Sequence, residues 1–136
     1  MAHRKGTLKP GKQRKLALSA PSHIRRQLLT ASLSSGLHER YLVRSFPVRK
    51  GDTVKILRGD FTGIEGKISE INTEQGRVFV EGVTREKVSG TSTKVSVHVS
   101  KVMITNLNLD DKWRSQSLER RKRTRETETT LEKKEA

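Results

Sequence analysis

The clearest alternation of apolar and polar residues runs from Gly51 to Ile68. Val54 and Ile56 share one parity, with Thr53, Lys55 and Leu57 on the other. After a polar interval, Ile64, Gly66 and Ile68 again fall on one parity. Alternation at period two predicts two half-buried strands. The interval Gly59-Asp60-Phe61-Thr62-Gly63 predicts a tight connection, because glycine permits positive φ and aspartate bonds its own backbone. Ile71 breaks the parity and predicts a bulge or a twist, and Asn72 to Gly76 predicts a turn. A third strand follows over Arg77–Val83, with Val78 and Val80 inward. Val95, Val97 and Val99 make a fourth, and Val102, Met103, Ile104 and Leu107 a fifth. Between the third and fourth, Thr84 to Thr93 is polar and reads as a long loop. Five short strands at regular spacing predict a mainly β fold, a small closed or nearly closed barrel.

The flanks follow helical rules. Pro21 sits in the first turn of a helix that starts after Ser19, and Ile24 and Leu28 are four apart. Ser34 or Ser35 caps a second short helix, whose Leu37 and Tyr41 dock on the domain or on each other. Pro47 ends helical structure and leads into the first strand. Asp110 and Asp111 suit a helix N-terminus. Beyond them the apolar residues thin to Trp113, Leu118 and Leu131, which predicts a helix that leaves the domain and frays. The expected organisation is a basic arm over 1–18, short helices packing on the barrel over 19–45, the barrel over 46–109 and a C-terminal helix or tail over 110–136.

Charge changes this picture. The 136 residues carry 29 Lys or Arg against 15 acids, a formal charge of +14, which points to a polyanionic partner. Residues 1–50 hold twelve Lys or Arg and one acid, residues 51–110 eight of each, and residues 111–136 nine against six. The strand-rich centre is therefore neutral, and the N-terminal extension is the main electrostatic element. Residues 1–18 have too few apolar side chains to offset their own ordering entropy, so an arm that orders on nucleic acid is expected. No apolar run reaches the ~18 residues of a spanning helix, and no apolar block follows the first basic residues. A soluble chain without a leader or membrane contact is expected. The chain has no cysteine, which excludes disulfides and thiolate zinc sites.

Nucleic-acid binding needs three tasks, and the residues offer candidates for each. Phosphate neutralisation falls to Lys5, Lys9, Lys12, Arg14, Lys15, Arg25, Arg26, Arg40, Arg44, Arg49 and Lys50. Close backbone approach falls to Gly59 and Gly63. Stacking falls to Phe61, which either lies against an unpaired base or folds back onto the barrel. Arg58, Thr62 and Lys67 flank that tip, and Arg85, Lys87, Thr91 and Ser92 lie on the long loop. Lys101 and Ser100 sit with His98 at a strand junction, where His98 reads as a structural hydrogen-bonding histidine. Arg120-Arg121-Lys122-Arg123 doubles as a weak nuclear-import signal, while Glu126, Glu128, Glu132 and Glu135 make the end mixed. The four histidines show no metal-ligand spacing, and the acids show no paired arrangement. No enzyme, metal, cofactor or small-molecule substrate is expected. Five aromatic residues are too few for a peptide-reading groove.

The pattern Gly51-Asp52-x-Val54-x-Ile56-x-x-Gly59-x-x-x-Gly63-x-x-Gly66-x-Ile68 resembles a KOW motif, found on SH3-like barrels of ribosomal proteins and transcription elongation factors. The flanks Ser19-Ala20-Pro21-Ser22-x-x-Arg25-Arg26 and Glu39-Arg40-Tyr41-x-Val43-Arg44-Ser45-x-Pro47-Val48-Arg49-Lys50 resemble the archaeal and eukaryotic form of the universal large-subunit ribosomal protein twenty-four family. So do Val83-Thr84-Arg85-Glu86-Lys87 and His98-x-Ser100-Lys101-Val102-x-Ile104-Thr105. Val99 stands where that form usually has proline. The resemblance implies a five-stranded SH3-like barrel and a structural protein of the large subunit, not a homo-oligomer, that acts early in assembly. It implies contact with the 5′ region of large-subunit rRNA (5.8S rRNA included in eukaryotes) and with neighbouring large-subunit proteins. It implies a cytoplasmic ribosome, with nucleolar and nuclear transit if the source is eukaryotic. The alternative is a KOW-containing transcription elongation or RNA-processing factor.

Overall fold

The computed structural model describes residues 9–135, with side chains through Thr127. Helices α1 (Pro10–Leu18) and α2 (Ser22–Leu28) are followed by β1 (Thr30–Leu33), α3 (Ser35–Tyr41) and β2 (Ser45–Pro47). Then come β3 (Thr53–Ile56), β4 (Glu65–Asn72), β5 (Arg77–Glu86) and β6 (Ser92–His98). A single 3-10 turn (Val99–Lys101) leads into β7 (Val102–Asn106), and α4 (Lys112–Glu135) closes the chain.

β3 behaves as its alternation requires: Val54 and Ile56 are buried while Thr53 and Lys55 are half-buried. It lies at the centre of a seven-stranded mixed sheet of order β2-β1-β7-β3-β4-β5-β6. The expected fold was a five-stranded barrel. The observed sheet has two further strands and is not closed, since β2 and β6 stand at its ends. Both additional strands lie upstream of the alternating region. β1 runs parallel to β7, with Leu33 opposite Ile104, and antiparallel to β2, with Ala31 opposite Phe46. At four and three residues they offer too few positions for a period to show.

Three other expectations change. Residues 84–93 are not a long loop but the outer end of the β5–β6 hairpin, which pairs Thr84 with Lys94 and Glu86 with Ser92. This end is exposed on both faces, so no apolar alternation marks it. Only Lys87 to Thr91 turns, closed by Lys87 N–H donating to Thr91 O at 2.9 Å. Ile64 is exposed rather than inward. Residues 10–18 of the basic arm are helical, although none of them is buried. The bulge near Ile71 is present, as a register shift between Ile68 and Glu70. The turn is present too, with Asn72 Oδ1 accepting from the N–H groups of Glu74 and Gln75.

The core joins Val54, Ile56, Ile68, Val78, Val83 and Ile104 to residues from both flanks, including Leu29, Phe46 and Leu118. Gly66 makes a bend in this core possible. β4 pairs with β3 through residues 65–67 and with β5 from residue 68 onward. A Cβ on Gly66 would stand 2.6 Å from the carbonyl oxygen of Glu81 and 2.8 Å from Val80 Cγ1. Only a glycine lets β5 lie that close. Leu37 and Tyr41 of α3 are partly buried against the core, as their spacing predicts.

Helix α4 does not simply leave the domain. Asp111 Oδ1 accepts from Trp113 N–H at 2.9 Å at its start. Arg114 and Leu118, one turn apart, are 4% and 1% exposed. The side chains of Glu128, Leu131, Glu132 and Glu135 lie outside the described residues.

Candidate nucleic-acid interface

The loop between β3 and β4 is built by backbone bonds. Ile56 N–H donates to Ile64 O at 3.0 Å, and Gly63 N–H donates back to Ile56 O at 2.8 Å. Gly59 and Gly63 sit at φ +110° and +90°, where other residues are strained. Nothing lies within 4 Å of a Cβ placed on either, so their backbone faces open space. Thr62 is exposed, and its hydroxyl donates to Gly59 O at 2.5 Å. Asp60 accepts from Arg85 Nη2 at 2.9 Å, which ties the loop tip to the β5–β6 hairpin.

Phe61 is partly buried and packs against the core. It also lines a groove with Arg58, Arg77, His98 and Lys101. Leu57 N–H donates to Lys101 O at 2.8 Å, so the loop and the 3-10 turn form one support. Arg77 was not singled out by sequence. It reaches the rim because β5 and β6 place it opposite His98, and its Nη1 donates to Ser96 O at 3.2 Å. His98 Nδ1 accepts from Ser100 N–H at 3.2 Å, and Gly76 leaves 3.4 Å between its would-be Cβ and His98 Nε2. The Val99 that follows is buried and starts the 3-10 turn.

A second groove has an apolar floor of Leu29, Pro47, Val48 and Ile71, rimmed by Arg26, Arg49 and Lys50. Neighbouring Arg25 is turned inward: its Nε donates to Ala20 O at 2.7 Å, and its Nη1 is 3.9 Å from Glu74. Arg49 forms a short ion pair with Asp111, whose carboxyl it holds below the usual carboxylate range, with help from Trp113 N–H. Glu70 is lowered in the same way by its hydrogen bond from Lys94 at 2.9 Å and by that ammonium charge.

The remaining expected contacts are dispersed. Lys12, Arg14 and Lys15 are exposed along α1, Lys9 precedes it, and Lys5 lies outside the described residues. Arg40 stands over the Tyr41 ring at 5.3 Å. Arg44 is exposed just ahead of β2, Lys87 opens the hairpin turn, and Lys67 lines a shallow depression beside Thr53 and Asn106. Arg120 to Arg123, read as a nuclear-import signal, are consecutive residues of α4. Among the described residues no group of three or more His, Asp or Glu is placed to hold a metal ion, and no helix is long and apolar enough to cross a membrane.

Sequence reasoning missed the polar centre that holds these parts together. Asp52 and Arg114 are buried and bonded at two points, each 2.6 Å. Arg114 also donates to Asn108 O at 2.6 Å and Pro47 O at 3.1 Å. Asp52 in turn accepts the N–H groups of Arg49 at 2.8 Å and Asn108 at 3.0 Å. The bidentate fork fixes α4 against the turn into β3, and with it the backbone at Arg49.

The model of the family that unites the eukaryotic ribosomal protein L26 with its archaeal counterpart L24 matches residues 7–121. The chain is 49% identical over 117 residues to the large ribosomal subunit protein uL24 of Saccharolobus solfataricus, across 86% of this chain and 98% of that protein. It is 48% identical over 118 residues to the Sulfolobus acidocaldarius protein of the same name, and 46% over 120 residues to that of Sulfurisphaera tokodaii. Each of these two matches spans 87% of this chain and 88% of the relative.

Proposed function

The chain belongs to the ribosomal protein family of eukaryotic L26 and archaeal L24, and on that premise we propose that it is a structural, rRNA-binding constituent of the large ribosomal subunit. The family match over nearly the whole chain carries this reading. The charge distribution supplies its mechanism. The neutral sheet carries loops of fixed shape, and the basic N-terminal residues supply counterion release on the RNA backbone.

In this reading α1 and the residues before it run along phosphates. The groove of Arg58, Phe61, Arg77 and Lys101 takes backbone and an unpaired base from a folded RNA. The groove of Arg26, Arg49 and Lys50 takes a second segment. The target is the 5′ region of large-subunit rRNA, bound early in subunit assembly beside other large-subunit proteins. The site of action is the ribosome in the cytoplasm. The three relatives are archaeal, and the nuclear and nucleolar steps expected of a eukaryotic form find no support in them.

Sucrose-gradient fractionation of source-cell lysate tests the proposal. The chain should travel with the large-subunit peak and leave it at high salt. A chain absent from that peak, and recovered instead with RNA polymerase, overturns the proposal in favour of an elongation factor.

A further inference from the structure

We propose that Thr124, on the outer half of α4, is a phosphorylation site for an arginine-directed serine/threonine kinase, and that a cleft between α4 and the segment leading into β2 captures the added phosphate. Thr124 is exposed and lines this cleft with Arg121 and Arg125; Val43, Arg44 and Ser45 form the facing wall. The anion is one that the chain itself carries, whatever else it binds. In the transfer, Thr124 Oγ attacks the γ-phosphorus of ATP. The new O–P bond forms as the bond to the bridging oxygen breaks, ADP leaves, and the hydroxyl proton passes to the kinase's base.

Recognition lies in the residues ahead of the hydroxyl. Arg120, Arg121, Lys122 and Arg123 precede Thr124 at four, three, two and one positions. A kinase that selects by charge offers carboxylates to such arginines, which pair with them as planar forks. The other described hydroxyls of α4 lack this approach. Ser117 has Arg114 three positions before it, but Arg114 is buried on Asp52; Ser115 and Thr127 have Lys112 and Thr124 there. A kinase also needs its segment extended, and α4 permits that here. Arg114 and Leu118 are buried, whereas among the described residues no side chain from Glu119 to Thr127 is. Opening these turns gives up backbone bonds and little packing. The Thr124 hydroxyl donates along its own helix, to Arg120 O at 3.0 Å, a bond that unwinding releases.

The cleft supplies the partners for the product. Arg121 lies three positions before Thr124, hence beside it on the helix, and is held over the buried Phe46 ring at 5.2 Å. Arg44 belongs to the body: its carbonyl oxygen accepts from Leu33 N–H of β1 at 3.1 Å, and Val43 beside it is buried. A phosphate between them takes forked N–H bonds from one arginine of the helix and one of the body, and so ties the outer half of α4 to the approach to β2. Arg125 makes a contact of its own, and the capture is assigned to Arg44 and Arg121 alone. The described lining contains no acid that would repel the phosphate. Glu119 and Glu126 of the same stretch stand outside it, 4.0 Å from Arg123 and 3.9 Å from Lys122.

Peptide mapping by mass spectrometry of the chain purified from its source cells tests the site. A fraction should carry phosphate on Thr124. A chain phosphorylated only at other hydroxyls, or at none, overturns the proposal. The capture is tested on the full chain with phosphothreonine installed at position 124 by peptide ligation, whichever kinase acts in the cell. In a phosphorus NMR titration its phosphate should titrate about one pH unit below the ordinary second pKa of about 6, because adjacent guanidinium groups favour the dianion. Amides over residues 120–127 should exchange with deuterium roughly tenfold more slowly than in the unmodified chain. Arg44 is exposed, so Arg44→Gln should fold normally, and it should reverse at least half of both effects. Lys122→Gln, outside the cleft lining, should reverse far less of either. A phosphate that titrates as in a free phosphothreonine peptide, or a shift that Arg44→Gln and Lys122→Gln reduce equally, overturns the capture.

Discussion

Asp52 carries more of the structure than its place in a turn suggests. It is 0% exposed and satisfies Arg114 and two backbone N–H groups at once. A buried ion pair adds little net stability against an apolar substitute, but removing one partner strands the other charge in a dry site. Arg114→Met should therefore cost about 3–5 kcal/mol in urea unfolding. Arg114→Lys should recover only part, because an ammonium cannot bond both carboxylate oxygens in parallel. Gly66→Ala should cost more than about 2 kcal/mol, since the added methyl meets the Glu81 backbone oxygen as well as the buried Val80 side chain. Gly66 was legible as part of a glycine-spaced motif. Arg114 was not, because its partner lies 62 positions away and nothing local in a polar helix distinguishes one arginine from the next. Phe61 was legible as unusual. Its two readings stayed equal because only the fold shows a ring with one side on the core and another lining a groove.

Elements that bury a regular face could be read from residues alone; elements that do not could not. β3 and β5 alternate, and their inward valines are buried as expected. β1 and β2 are too short, and the outer β5–β6 hairpin too polar, for a period to register. α1 is the extreme case, nine residues with no buried side chain. A helix that short has little stability of its own and no packing to supply it. In the free protein its amides should exchange with deuterium within seconds, and binding of the rRNA transcript should slow them strongly. Hydrogen exchange by mass spectrometry checks this. Rapid exchange that persists in the complex contradicts the ordering of the arm on RNA.

The molecule as a whole combines a folded sheet with a charge concentrated outside it. At low pH the molecule loses two ion pairs, Arg49–Asp111 and Lys94–Glu70. Asp111 and Glu70 have lowered pKa values in the folded state, so their contribution is present above the ordinary carboxylate pKa. It is lost as pH falls through the lower folded values. Stability should decline as pH drops below ~5, and Asp111→Asn with Glu70→Gln should make that decline shallower. An unchanged slope in acid unfolding contradicts the assignment. The folded body also limits where the chain is divisible. β1 lies between β2 and β7, so a cut after residue 45 removes an interior strand along with the basic residues. A cut after Leu18 removes six Lys or Arg and no acid, while the first buried residue among those described is Ala20. The most direct measurement compares the full chain with the chain lacking residues 1–18, each titrated onto the 5′ rRNA transcript over a range of salt. The account predicts a folded truncated protein whose salt slope falls by up to ~4–5 and whose affinity drops at least a hundredfold near 0.1 M salt. Equal slopes and equal affinities would contradict it.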